Sequence, residues 1–264
     1  MTSPPEPAAP GTPAAPGTPA APTPPVALVT GASRGIGRAV ADRLAASGYA
    51  IAVHAHTEAS AQRAAAGIAQ AYGVPVLPVY GDVADAGAVK LVARQVFDRF
   101  RRLDALVVNA GIHDAALLGM MSAAAVERLF AVNAVGAAHT LQSCVSLLRR
   151  APGPAVVLVS SVLGSTGAPG QAIYAASKAA LLGLARSAAK ELGPAGIRVN
   201  AVAPGFIDTD LLATLDDQQR KERVGQTALG RLGTPQDVAE AVTFLLTAGF
   251  VTGQVLGVDG GLVI

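Results

Sequence analysis

The sequence predicts an α/β protein, a single large domain built on a parallel sheet with helices on both faces. Three observations carry that expectation. From Val26 onward, short β-rich runs alternate with longer helical segments, the pattern of a parallel sheet covered on both sides. The first of those runs passes directly into a glycine-rich turn and then a helical pattern, Gly31 to Gly37 followed by RAVADRLAASG. The chain has 264 residues, 51% hydrophobic and only 14% charged, enough for one substantial core but not comfortably for two.

Residues 1–25, MTSPPEPAAPGTPAAPGTPAAPTPP, stand apart from this pattern, with AAPGTP occurring twice. Such a segment cannot bury a core, so it is expected to be a disordered or polyproline-like tail ahead of one domain spanning 26–264. It lacks the charged start and apolar centre of a cleavable signal. A formal charge of +2 without a basic run gives no electrostatic footprint for nucleic acid. No apolar stretch reaches membrane-spanning length uninterrupted. Cys144 is the only cysteine, so no internal disulfide can form and a reducing, cytoplasmic setting is expected. No His or Cys cluster suggests a metal.

VALVT (26–30) is the first strand. The turn after it, Gly31, Ala32, Ser33, Arg34, Gly35, Ile36 and Gly37, leaves backbone N–H groups free at a positive helix end, where a pyrophosphate can approach. Its glycine order is GxxxGxG, and the strand before and helix after it point to nucleotide binding. The second strand, YAIAVHAH (49–56), ends without the acidic residue that would accept from a ribose 2′-hydroxyl. His56 and Thr57 stand there instead, with Arg34 at hand to pair with a 2′-phosphate, so NADP(H) is expected over NAD(H). His54 is read as strand-end polarity.

VPVLPVY (74–80) is the third strand. Asp82 and Val83 follow, and Asp82 either accepts from an adenine amino group or caps the loop or the next helix, about 85–101. LDALVVNAG is the fourth strand, with Asn109, Ala110 and Gly111 at its carboxyl end: small residues admit a ribose or nicotinamide, and Asn109 can hold neighbouring strands. A helix from Ser122 to Arg150 then carries Asn133 mid-way, a poor helical residue that serves either an interhelical hydrogen bond or the site.

AVVLVSS is a buried strand that brings Ser160 or Ser161 out at its carboxyl end, where ligands bind in open α/β sheets. Tyr174 and Lys178, four apart at the start of a helix, share one face. An ammonium beside a phenol stabilises the phenolate and so makes a tyrosine useful in proton transfer, whereas the same spacing also describes an ordinary exposed pair. GIRVNAVAPGFIDTD (196–210) is the sixth strand and its loop, with Pro204 and Gly205 ending the strand and Phe206, Ile207 and Thr209 turning over the cofactor. Asp208 to Leu229 is a lid candidate, and Leu211, Leu212 and Leu215 either cover a substrate chain or pack on the core. Thr234, Pro235 and Asp237 open the last helix, and VTGQVLGVDGG is the final strand.

TGASRGIG (Thr30 to Gly37), NAG (109–111), Asn133, Ser161, Tyr174 with Lys178, and PGFIDT (Pro204 to Thr209) together resemble the short-chain dehydrogenase/reductases from Val26 to the C-terminus. The resemblance selects Ser161, which stands 13 residues before the tyrosine as in that family, and VNAG replaces the usual NNAG. It implies a Rossmann-type, doubly wound sheet of seven parallel strands, a catalytic set of Asn133, Ser161, Tyr174 and Lys178, and a homotetramer built through the long helices and C-terminal region. TGASRGIGRA, YAASKAAL, PGFIDTD and RLGTPQDVAEAVTFLL are most similar to the bacterial 3-oxoacyl-[acyl-carrier-protein] reductases. That branch implies NADPH-dependent reduction of a 3-oxoacyl thioester held on acyl-carrier protein. Ala195 stands where those reductases often carry a basic residue, and Arg149 and Arg150 can supply charge nearby. The same residues also suit another ketone or alcohol, and a nonenzymatic NADP(H)-binding regulator would show a damaged site.

Overall fold

The computed structural model describes residues 24–210 and 216–263. Leu211, Leu212 and Leu215, and nearly all of the Pro-rich segment, lie outside the described residues. Seven parallel strands form one sheet in the order β3-β2-β1-β4-β5-β6-β7. They are β1 Val26–Val29, β2 Ala50–Ala55, β3 Val76–Tyr80, β4 Ala105–Val108, β5 Ala155–Val159, β6 Arg198–Pro204 and β7 Val255–Val258. Helices α1 Gly35–Ala46, α2 Glu58–Tyr72 and α3 Ala86–Phe100 connect the first four strands. Between β4 and β5 run α4 Ala123–Phe130, a π-helical turn Ala131–Val135, and α5 Gly136–Leu148. Among the described residues the remaining helical elements are a short α6 Leu163–Thr166, the long α7 Ala172–Leu192 with a 3-10 turn Gly193–Ala195 after it, α8 Asp217–Gly225 and α9 Pro235–Thr247.

Strand alternation divides the core. Ala27 and Val29 of β1, Ala105 and Val107 of β4, and Val157 of β5 pack beneath α1, α2 and α9. Leu28, Leu106, Val108, Val156 and Leu158 pack on the opposite face beneath α3, α5 and α7. The sheet is buried on both sides, which is why its strands read as continuous apolar runs.

The strand order reverses at β1, since the chain builds outward to β3 and returns to pair β4 with β1 in the register Ala27↔Ala105, Leu28↔Leu106, Val29↔Val107. The loops leaving β1 and β4 therefore diverge at their carboxyl ends and open a crevice there. One element differs from the sequence reading: the helix expected from Ser122 to Arg150 is interrupted by the π-turn that contains Asn133. The sixth strand ends at Pro204 as expected, which pairs in register with Val258 and accepts from the Val162 N–H at 3.0 Å. A proline at that end loses nothing as an acceptor, and Gly205 is where the chain turns, its N–H donating to Val258 O at 3.0 Å.

Candidate active site

The glycine turn forms a cradle at the crevice. Gly31 has φ +65°, a conformation that favours glycine, and a Cβ there would lie 3.0 Å from the Ala110 Cα. At Gly37 a side chain would collide with Asn109 Nδ2 and Gly31 O. Arg34, the N-cap of α1, makes no side-chain cap, and no acidic residue lies in the first turn. The positive end of α1 thus faces the crevice with no acidic side chain of its own, which suits an anionic pyrophosphate. Ser33, Gly35 and Ile36 line this turn half-buried, and Thr209 lies beside Gly35, its Cγ2 3.7 Å from a Cβ placed there.

The β1 and β4 ends are laced together by Thr30 and Asn109. Asn109 N and Ala110 N donate to Thr30 Oγ1 at 2.9 and 3.0 Å, and Asn109 Nδ2 donates to the carbonyls of Thr30 and Gly31 at 2.9 and 3.2 Å. Asn109 thus holds neighbouring strands, as its position in the sequence suggests. His54, read as strand-end polarity, instead bolts two loops of the crevice. Its Nδ1 accepts from Gly31 N–H at 3.2 Å and its Nε2 faces the Gly81 carbonyl at 3.1 Å, so the proton sits on Nε2. Burial pushes His54 down to about 4, against the Gly81 carbonyl, and keeps it neutral.

Asp82 serves its loop. Oδ1 accepts from Ala84 N–H at 3.0 Å and Oδ2 pairs with Arg128 of α4 at 2.7 Å. Burial opposes the charge, but the Arg128 guanidinium and the Ala84 amide hold the carboxyl below its ordinary value. The helix that follows is capped by Asp85, which accepts from Gly87 and Ala88 amides. Val83 is buried against Gly136, where a Cβ would lie 2.8 Å from its Cγ2, and this close approach presses the loop onto the start of α5. Thr57 is the N-cap of α2, accepting from Ser60 N–H, and His56 is exposed beside it. Arg34 reaches across the crevice to Asp210, Nη1 to Oδ2 3.0 Å, with both side chains about three-quarters exposed. The Ile207 side chain does not line the crevice: it is buried in the core beside Val202 and Val238, leaving only its backbone toward the site.

On the other side of the crevice, consecutive serines at the end of β5 take opposite duties. Ser160 Oγ donates to the Lys178 carbonyl at 2.8 Å and pins α7 to the sheet. Ser161 lies against the Tyr174 phenol and accepts from Leu163 N–H at 3.2 Å. Lys178 is buried, its Nζ donating to Val159 O at 3.0 Å, and burial lowers it to about 8. Burial raises Tyr174 and the Ser161 hydrogen bond partly offsets this. The expected depression of the phenol by Lys178 is therefore not the arrangement found, because the ammonium is turned to the Val159 carbonyl. The consequence is a tyrosine held protonated at neutral pH, the form a proton donor needs.

Asn133 is buried in the π-turn, a distortion that often marks a site. Its Oδ1 accepts from Ile112 N–H at 2.8 Å, and its Nδ2 donates to Ile112 O at 2.9 Å and Ser177 Oγ at 3.0 Å. It clamps the loop after β4 to α7. A Cβ on Gly111 would be 3.1 Å from both Asn133 Oδ1 and Lys178 Nζ, so these two polar groups converge on one point.

A family model described as enoyl-(acyl carrier protein) reductase matches residues 31–263. The 3-oxoacyl-[acyl-carrier-protein] reductase FabG of Staphylococcus aureus strain Mu50 is 41% identical over 238 residues, 89% of this chain and 97% of that protein. The chain belongs to the short-chain dehydrogenase/reductase family. The protein of the same name from Thermotoga maritima is 39% identical over 243 residues, 90% of this chain and 98% of its own length. A crystal structure of a dehydrogenase/reductase from Sinorhizobium meliloti 1021 superposes with a TM-score of 0.85 at 37% identity, covering 91% of this chain and 95% of that one.

The structure brings to one crevice the glycine turn, Asn109, Tyr174 and Lys178 that the sequence pattern singled out and Ser161 that the resemblance selected. The bonds made by Thr30, His54, Arg128 and Ser177 were not legible, because their partners are remote in the chain and leave no local spacing to read.

Proposed function

We propose that this short-chain reductase transfers a hydride from NADPH to the 3-keto carbon of an acyl thioester carried on acyl-carrier protein, forming the 3-hydroxyacyl thioester. The observation that carries the reading is the placing of Tyr174 beside Ser161 at the carboxyl end of the sheet, with the buried Lys178 one helical turn away. Tyr174 gives its proton to the carbonyl oxygen, while Ser161 hydrogen-bonds that oxygen as charge develops on it. The Lys178 ammonium holds the nicotinamide ribose. Asn133, with one Oδ1 lone pair free of the Ile112 bond, supports a water through which Lys178 exchanges protons with solvent. When bound, the cofactor supplies the hydride, and every proton comes from the protein side.

The dinucleotide is held by Gly31, Ser33, Arg34, Gly35, Ile36 and Gly37 at the pyrophosphate, and by Asp82 and Val83 near the adenine. Asn109, Ala110, Gly111, Tyr174, Lys178, Pro204, Gly205, the Ile207 backbone and Thr209 complete the ribose and nicotinamide side. NADP(H) is favoured because Arg34, His56 and Thr57 border the end of the second strand, which carries no Asp or Glu of its own. The exposed Arg34–Asp210 pair holds Arg34 by at most about 1 kcal/mol, so a 2′-phosphate can take it.

The carrier protein accords with the printed names of the relatives. A cytoplasmic setting accords with a single cysteine, which leaves no internal disulfide, and no described helix is long and apolar enough to cross a membrane. A homotetramer accords with the exposed Phe244 and Phe250 beside the open edge at β7. The family description names reduction of a carbon–carbon double bond, which gives a second reading a specific basis. Cofactor oxidation with acetoacetyl and crotonyl thioesters, each with NADPH and NADH, tests both. Turnover of acetoacetyl thioester with NADPH supports the ketone reading, and turnover of the crotonyl substrate alone replaces it with the enoyl one.

A further inference from the structure

The loop after β4 meets the loop before α7 at the rim of the site through three contacts. Ala116 N–H donates to Gly170 O at 3.0 Å. His113 Nε2 lies 2.9 Å from Gln171 Oε1, an acceptor, so this nitrogen carries the proton. The His113 ring stands edge-on to the Tyr174 ring, centroids 4.7 Å apart and planes at 72°. An edge contact of this kind favours one ring orientation over its neighbours. Tyr174 lies in the first turn of a helix whose N-cap, Gln171, provides no side-chain cap, so its amide is free to serve His113 instead. His113 itself is anchored two ways, by Gln171 at its side chain and, one residue earlier, by the Asn133 clamp on Ile112.

We propose that His113 is a positioning residue for Tyr174: held by Gln171 on one side, its ring fixes the phenol in the orientation that faces Ser161. The proposal rests on Tyr174 as proton donor. It assigns the imidazole no proton transfer, and the aromatic contact, rather than charge, is what Tyr174 requires.

The test compares wild type with His113→Ala, His113→Phe and Gln171→Ala in two readouts. In steady-state reduction of an acetoacetyl thioester, His113→Ala is expected to lower kcat about tenfold, as misplacement of a reacting group does, with NADPH affinity within about twofold of wild type. His113→Phe keeps a ring edge for Tyr174 and should recover most of that loss. Gln171→Ala should fall between wild type and His113→Ala. The second readout needs no substrate: with 13C-labelled tyrosine there are four Tyr residues, and Tyr174→Phe assigns the signal of interest. His113→Ala should shift the Tyr174 ring resonance and speed its ring flips, and His113→Phe should restore slow flipping. An unmoved Tyr174 resonance in His113→Ala overturns the proposal, as does an unchanged kcat or an equal loss of kcat in the Phe variant. If wild type reduces no oxoacyl thioester, the function falls, and the resonance of Tyr174 still decides the role of His113.

Discussion

Tyr174 and Lys178 were visible as residues because helical periodicity alone puts positions four apart on one face, and the structure adds what periodicity cannot, their burial. In the proposed reaction the Tyr174 hydroxyl, raised by burial, gives the proton. Tyr174→Phe should bind NADPH as wild type does while turnover falls by roughly 10²- to 10⁴-fold, read by fluorescence titration beside cofactor oxidation. Lys178 carries its charge at a cost: displacement from 10.5 to about 8 corresponds to roughly 3 kcal/mol. The native state therefore binds fewer protons than the unfolded chain between pH 8 and 10.5, and stability contributed by this group rises with pH across that window. Lys178→Met should be inactive yet more stable than wild type at pH 7 by about 1–3 kcal/mol, and the difference should narrow as pH approaches 10 in urea denaturation. His54 works in the acid range. Its depressed value means the unfolded chain binds the extra proton between about 4 and 6.5, so stability is lost as pH falls. From pH 7 to pH 5 the loss from this group should be about 2 kcal/mol, and His54→Gln should lack it. His54 was illegible in sequence because its two partners, Gly31 and Gly81, sit on loops after different strands.

Among the elements, the strands and most helices followed from apolar runs and caps, whereas the break in the helix after β4 did not. Nothing in the local sequence opposes a continuous helix there except Asn133, and the π-turn depends on that side chain's bonds to Ile112 and Ser177 and on the contact of Gly136 with Val83. Proline at 204 marked the end of β6 correctly, since that end needs its carbonyl and not its amide. The glycine turn is the element whose sequence and geometry agree most fully. Gly37→Ala should drive Asn109 and the Gly31 carbonyl apart, destabilise the fold by about 1–3 kcal/mol, and abolish NADPH binding. Thermal denaturation and cofactor titration of one preparation separate those effects.

At the scale of the molecule, the alternation of strands and helices specified a parallel sheet, and the glycine turn after the first strand located its functional edge. The family resemblance implied seven parallel strands, but their order, β3-β2-β1-β4-β5-β6-β7, came only from the structure, because pairing partners are distant in sequence. The switch at β1 and β4 gathers Gly31, Asn109 and, across β5, Ser161 and Tyr174 around one crevice, so one architecture brings together the proposed cofactor cradle and the proposed proton donor. The substrate is set by what enters that crevice. The most direct measurement is NADPH oxidation by the full chain with acetoacetyl-carrier protein, beside the same acyl group on a small thioester. Faster turnover of the carrier-bound group is the predicted result, and charge reversal at Arg149 and Arg150 should reduce that advantage. Intact NADPH binding with no oxidation on either thioester would contradict the account.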